Sequence, residues 1–293
     1  MRLTNMSKCN LCPRKCNVDR DISLGFCQCR SLPIVSKTML HRWEEPPISG
    51  INGSGAIFFS GCTLQCVFCQ NKAISRAPVG RITTPKELAS IFLELQSEGA
   101  HNINLVTPTH FTDSIIEALD IAKPTLHIPI VYNTSGYELV ETLKKLRGYV
   151  DVFLPDFKYF DTALSAKYSK APDYFSVAIK ALSEMYSQVG QYTEDENGIA
   201  KKGVIIRHLV LPGCRKDSVR ILEEIKNTLP VSDIRLSLMS QFTPDFVPTE
   251  CKELSRKITT FEYNFVLEKA IDLGYDGFFQ QKESASAKYT PDF

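Results

Sequence analysis

The chain has 293 residues, 43% hydrophobic and 23% charged, enough to bury a sizeable core in one main domain with an appendage but short of two full enzyme domains. Its 34 basic and 33 acidic residues leave a formal charge of +1, so no broad basic field exists to hold a nucleic-acid backbone or an acidic membrane surface. Ten cysteines fall below the roughly 8–10% of a small disulfide scaffold. Five lie within positions 9–29 and three within 62–69, a clustering that suits metal better than a disulfide framework.

The opening MRLTNMSKCN has no apolar core, and no segment approaches about eighteen consecutive apolar residues, so neither a secretory signal nor a membrane span is expected. The expected compartment is the reducing cytoplasm, where thiols survive to bind metal. Residues 1–50 are rich in Cys, Arg and Pro with little periodicity, the character of a Cys-rich extension that needs a staple such as a metal. Cys9, Cys12 and Cys16 are followed by Cys27 and Cys29. Four spaced thiols can close a tetrahedral metal site or a second cluster, and spacing does not separate zinc from iron–sulfur.

From residue 51 to 293 the pattern is regular. AIFFSG (56–61) reads as a strand, and Thr84, Pro85 and Glu87 supply a capping box and a first-turn proline for the helix that follows. NINLVT (102–107), IPIVYN (128–133), DVFLPD (151–156), GVIIRHLVL (203–211) and DIRLSLMSQ (233–241) read as strands, each followed by a helical stretch. EDENG (194–198) is a polar excursion before the fifth strand. Six strand–helix units in series predict an α/β fold with a parallel sheet, a partial (β/α)6 TIM-like barrel. Its chemistry should sit at the C-terminal ends of the strands.

The loop after the first strand carries Cys62, Cys66 and Cys69. Three thiolates this close can ligate three irons of a cubane and leave the fourth iron open, whereas structural zinc wants a fourth ligand, here one borrowed from elsewhere. Asp156 and Lys158, two apart after the fourth strand, face the same way, and a charged pair inside a barrel needs polar partners. Arg207 lies in a strand apolar on both sides, so its guanidinium wants a carboxylate or phosphate, either a ligand's or that of an acid such as Asp156. His208 faces the other way and reads as a packing histidine, and Cys214 and Cys251 as small hydrophobes.

The motif GCTLQCVFCQN, with Phe68 before the third Cys and six strand–helix units behind it, resembles the radical S-adenosylmethionine (SAM) superfamily. With VTPTH, VYNTSGYE, DVFLPDFKYFD and VIIRHLVLPG, it is similar to the branch related to pyruvate formate-lyase activating enzymes, over about residues 41–280. The resemblance implies an oxidoreductase with a [4Fe-4S] cluster on Cys62, Cys66 and Cys69, its open iron chelated by the amino and carboxylate groups of SAM. One-electron reduction would yield methionine and a 5'-deoxyadenosyl radical that abstracts hydrogen. Phe68 would lie against the adenine, or simply pack. Relatives hold the SAM ammonium on a Gly-Gly-Glu element after strand two; here Val106, Thr107, Pro108, Thr109 and His110 stand there, making Thr107 the candidate acceptor, unless Thr109 merely caps the next helix. Asn133 is similar to the asparagine of a Thr-Asn-Gly loop that meets the SAM ribose and carboxylate, although Asn and Gly after a strand are also turn formers. Asp156 would approach SAM or a cation, and Lys158 and Arg207 the SAM carboxylate.

Gly25, Phe26 and Cys27 match the context of the fourth cysteine in similar Cys-rich leaders, which assigns Cys9, Cys12, Cys16 and Cys27 to a structural metal. Residues 41–46 belong to the branch pattern or are a strand lead-in covering the barrel bottom. The resemblance also implies a low-potential donor of flavodoxin or ferredoxin type. The target is a partner protein activated by glycyl-radical formation, a peptide or a small metabolite, although Ser240, Gln241 and Phe242 depart from the activases' strand end. A second reading is a zinc-stabilised interaction protein whose Cys clusters act as recognition knuckles for RNA. Near-zero net charge opposes it, and neither a nucleic-acid nor a membrane partner is expected.

Overall fold

A computed structural model describes residues 8–280. Residues 1–7, part of the start where no secretory signal is expected, and 281–293, the end of the expected barrel domain, lie outside the described residues. The strands are β1 (Ile34–His41), β2 (Ser54–Phe59), β3 (Arg81–Ile82), β4 (Ile103–Val106), β5 (Ile130–Thr134), β6 (Val152–Pro155), β7 (Thr193–Glu194), β8 (Ala200–Leu209), β9 (Arg235–Met239) and β10 (Gly277–Phe279). They form one sheet in the order β10-β9-β8-β6-β5-β4-β2-β1-β3, with β7 pairing β8 off this path.

From β2 to β10 every neighbour on that path is parallel. Every residue of β2, β4, β5 and β6 is buried, because the crossover helices cover the sheet's outer face and the curled sheet encloses the inner one. The six expected strand–helix units are all present, and the fold is a partial TIM-like barrel. The helix Pro85–Ser97 starts as its residues dictate: Thr84 Oγ1 accepts from the Glu87 N–H, and the Glu87 carboxylate accepts from the Thr84 N–H at 2.8 Å. EDENG becomes a hairpin turn, where the Asp195 carboxylate accepts from the Asn197 and Ile199 N–H groups at 2.9 and 3.0 Å.

Four strands escape the sequence reading: the two-residue β3 and β7, and the longer β1 and β10. β1, within the stretch read as aperiodic, pairs antiparallel with β2 from Val35↔Phe59 to His41↔Ser54, so the sheet begins at Ile34 and not after residue 50. Its side chains alternate poorly in burial because it lies near the sheet edge, where one face is only half covered. β10 adds a seventh parallel strand after the last helix. It is only three residues long, and its first is Gly277, where a Cβ would stand 2.0 Å from the Leu236 carbonyl oxygen. Only glycine permits that approach. Among the described residues no helix is long and apolar enough to cross a membrane.

Candidate active site

The parallel register fixes which residues meet at the sheet's C-terminal edge. Val106 on β4 lies beside Asn133 on β5, Thr134 beside Pro155 at the end of β6, and Asp156 bridges to Arg207 on β8. Over this edge lies a cavity of about 230 Å3 whose lining includes Cys62, Cys66, Cys69, Phe68, Thr107, Asn133, Asp156, Lys158 and Arg207. Those are all the residues the sequence assigns to the first metal and to the cofactor, brought together from three separate loops and two strands.

The three cysteines sit on the loop between β2 and the short helix Lys72–Ser75. Gly61 opens the loop at φ +80°, with no room for a side chain: a Cβ would stand 2.3 Å from the Cys27 carbonyl oxygen and 2.5 Å from Cys29 Sγ. Cys62 Sγ accepts from the Leu64 and Gln65 N–H groups at 3.3 and 3.5 Å, and Cys66 Sγ from the Ser169 hydroxyl at 3.0 Å. Burial, and then the neighbouring Cys66 and Cys69, push the Cys62 thiol up to about 12. Burial and Cys66 push Cys69 up as well. Thiols in this state ionise only when a cation is there to receive them. Among the described residues no three His, Cys, Asp or Glu side chains converge closely enough to share one metal ion. Around tetrahedral zinc, sulfurs about 2.3 Å from the metal lie within roughly 4 Å of one another, whereas a cubane spreads its thiolates over separate irons. The donor set fits the cluster.

Phe68 is nearly buried, packed edge-on against Tyr159, Tyr168 and Phe242 with centroids 6.4, 6.5 and 6.1 Å away. The ring therefore packs, and its remaining edge lines the cavity. Thr107 adopts φ +61° and donates its N–H to the Asn133 carbonyl at 2.9 Å. A β-branched residue in the left-handed region is strained, and such strain gathers at working sites. Thr109 does not cap the helix Thr112–Ala122. Its hydroxyl donates to Glu138, as Thr134 does, and burial nevertheless lifts that carboxyl to about 7.

Below the cysteines lies an ion network. Arg207 donates through Nε to Asp156 at 2.8 Å, through Nη1 to Glu44 at 3.0 Å and through Nη2 to the Asn133 side chain at 2.6 Å. Lys158 donates to the other Asp156 oxygen at 2.6 Å. Burial works to raise Asp156, but the Arg207 and Lys158 charges outweigh it and hold the carboxyl below its ordinary range. Burial likewise opposes the charge on Lys158, and Asp156 overcomes it and holds the ammonium above its usual value. Glu44 is raised by burial against the opposing pull of Arg207. The two cations thus stand among three carboxylates, Asp156, Glu44 and Glu45, and every Arg207 nitrogen already serves a protein acceptor. That geometry favours the structural alternative for Arg207 over a ligand carboxylate.

Glu44 is the residue the sequence reading misses. It follows β1, whose end pairs with the start of β2, so its carboxylate enters the barrel from the bottom and also accepts from Asn104 and Asn133 at 3.2 and 3.3 Å. A strand lead-in ending in two consecutive acids, Glu44 and Glu45, is the available signal. His208 meets its expectation as a packing residue, fully enclosed and bonded through Nδ1 to the Phe157 carbonyl at 2.6 Å.

The leader packs against this site. Gly25 lies between Cys16 and Cys27, a Cβ there standing 3.2 and 3.5 Å from the two sulfurs. Burial raises the Cys9 thiol, with Cys16 and Cys27 adding to it, and raises Cys12 to about 12. The Cys29 side chain interacts with that of Cys27, and its Sγ also stands 3.2 Å from the Ser60 carbonyl oxygen. Cys251 is buried and Cys214 half-buried.

Residues 56–213 match the sequence profile of the Radical SAM superfamily. An uncharacterized protein of Methanocaldococcus jannaschii is 31% identical over 284 residues, covering 92% of this chain and 77% of its own length. A radical SAM methyltransferase from Sphaerobacter thermophilus superposes with a TM-score of 0.52 at 14% identity, over 80% of this chain and 69% of its own. Streptococcus suis SuiB, solved bound to precursor peptide SuiA, gives 0.50 at 12% identity, over 75% of this chain and 46% of its own. At these identities the two structures speak for the fold alone.

Proposed function

The chain belongs to the radical SAM superfamily, and from that premise we propose that it cleaves SAM reductively at a [4Fe-4S] cluster held by Cys62, Cys66 and Cys69, to abstract a hydrogen atom from its target. The observation that carries this reading is the convergence of these three thiols with Thr107, Asn133, Asp156 and Lys158 on one cavity at the strands' C-terminal edge. When bound, the cluster supplies the single electron that breaks the sulfonium–carbon bond of SAM, leaving methionine and the 5'-deoxyadenosyl radical.

The chain's own residues bind and orient. Lys158 has three N–H hydrogens, of which Asp156 takes one, and the others suit the SAM carboxylate. Thr107, held in its strained backbone beside Asn133, offers acceptors for the ammonium. Arg207 favours the ionised form of Asp156 and fixes both Asp156 and Glu44 in place. Phe68 closes the cavity wall on its aromatic neighbours. Cys9, Cys12, Cys16 and Cys27 would hold a second metal once it draws their sulfurs together, a reading supported by the packing of Cys16 and Cys27 on either side of Gly25. The electron donor would be a flavodoxin- or ferredoxin-type protein of the cytoplasm, and the target a partner protein as in the glycyl-radical activases.

Adding SAM to the reduced, reconstituted protein tests the open iron. Its electron paramagnetic resonance spectrum should change, and an unaltered spectrum would contradict the reading.

A further inference from the structure

One side-chain relay runs from the leader to the cysteine loop and has no part in the chemistry above. Ser169 ends the helix Thr162–Ser169 and is 1% exposed. Its Oγ stands 3.0 Å from Cys66 Sγ and 2.8 Å from the Tyr159 hydroxyl oxygen. A serine hydroxyl has one hydrogen to give. A cysteine sulfur that ligates iron is a thiolate and only accepts, so that hydrogen goes to Cys66, and Tyr159 donates to Ser169.

The backbone of Ser169 is fixed from the leader. Arg14 donates through Nη2 to the Ser169 carbonyl at 2.8 Å, through Nε to the Thr63 carbonyl at 2.8 Å, and through Nη1 to the Lys170 carbonyl. The rings of Phe26 and Tyr137 flank its guanidinium at 4.0 and 5.3 Å. One leader side chain thereby joins the end of a helix to the loop between Cys62 and Cys66, with the planar fork suited to several carbonyls at once.

We propose that Ser169 is a positioning residue that sets the reduction potential of the cluster on Cys62, Cys66 and Cys69, and that Arg14 holds it in place; the proposal rests on the cluster assignment of the preceding section. A hydrogen bond to a ligating sulfur stabilises the cluster that carries the extra electron more than the one that lacks it, and so raises the potential. The leader then governs how readily the cluster is reduced without contributing a ligand to it.

The test is a redox titration of the reconstituted full-length protein followed by electron paramagnetic resonance, after iron and sulfide have been counted. Ser169→Ala should keep a full cluster and shift the midpoint to more negative potential. Tyr159→Phe should shift it the same way by less, and it serves alone should Ser169→Ala lose iron. Arg14→Lys should shift the midpoint in the wild-type background and leave it unmoved in the Ser169→Ala background. A full cluster with the wild-type midpoint in both Ser169→Ala and Tyr159→Phe overturns the proposal. Equal Arg14→Lys shifts in the two backgrounds overturn the role of Arg14. A wild-type protein that takes up no iron and sulfide overturns the cluster assignment, and this proposal with it.

Discussion

Arg207 shows how much of this site rests on a single side chain. Its guanidinium holds Asp156, Glu44 and Asn133 together inside the barrel. Removing one member of a buried ion network leaves charge without compensation, at a cost of about 3–5 kcal/mol. Arg207→Met should therefore lower unfolding stability by that order in a denaturant titration, and a loss of only a few tenths would show the network to be solvated. His208 makes a separate, pH-dependent claim. Burial lowers its imidazole from 6.5 to about 4, so between those values the unfolded chain binds the proton that the folded chain refuses. Its contribution is intact above pH 6.5 and lost as the pH falls toward 4, by roughly 3 kcal/mol in all. His208→Gln should flatten that part of the stability profile, as measured by unfolding at a series of pH values; an unchanged slope would assign the loss elsewhere. Among the cysteines, Cys66→Ala should abolish iron at the loop and spare the metal proposed for the leader, which metal analysis of the purified variant can resolve.

At the scale of elements, the leader and the cysteine loop behave as one unit because Gly61 lets them touch. Gly61→Ala would force a Cβ onto the Cys27 carbonyl at 2.3 Å and hold the residue in a left-handed backbone that alanine resists. Limited proteolysis should then cut within the leader at protease levels that leave the wild type whole; equal resistance would mean that the leader packs independently. This contact is invisible in the sequence, where Gly61 marks only the start of the cysteine motif and nothing ties it to Cys27 and Cys29. Six of the seven parallel strands were legible because each is a short apolar run closed by a turn or cap, and the Thr84–Glu87 capping box formed as its spacing dictates. β1 was not legible, since an edge strand with half-covered side chains lacks both the apolar run and a clean alternation. Its omission hid Glu44, whose role depends on a chain segment crossing beneath the barrel. The candidate site fared better, because residues at strand ends converge by topology alone: Thr107, Asn133, Asp156 and Arg207 share one cavity as the strand order requires. What spacing could not foretell was the choice of partner for Arg207, which is settled by distances between side chains far apart in sequence.

For the whole molecule, the parts form a sequence of dependence: the sheet sets the cavity, the cavity gathers the thiols and the ion network, and the leader braces the loop that bears the thiols. The near-neutral charge of +1 provides no broad field to attract a highly charged partner. The central claim is that the three loop cysteines make this barrel a SAM-cleaving enzyme. The most direct measurement is quantification of 5'-deoxyadenosine by mass spectrometry after anaerobic cluster reconstitution, dithionite reduction and addition of SAM, with Cys62→Ala as the control. The wild type should yield 5'-deoxyadenosine and the variant none. Product that persists at the wild-type level in Cys62→Ala, or a wild-type protein that holds zinc in place of iron and forms no product, would contradict that claim.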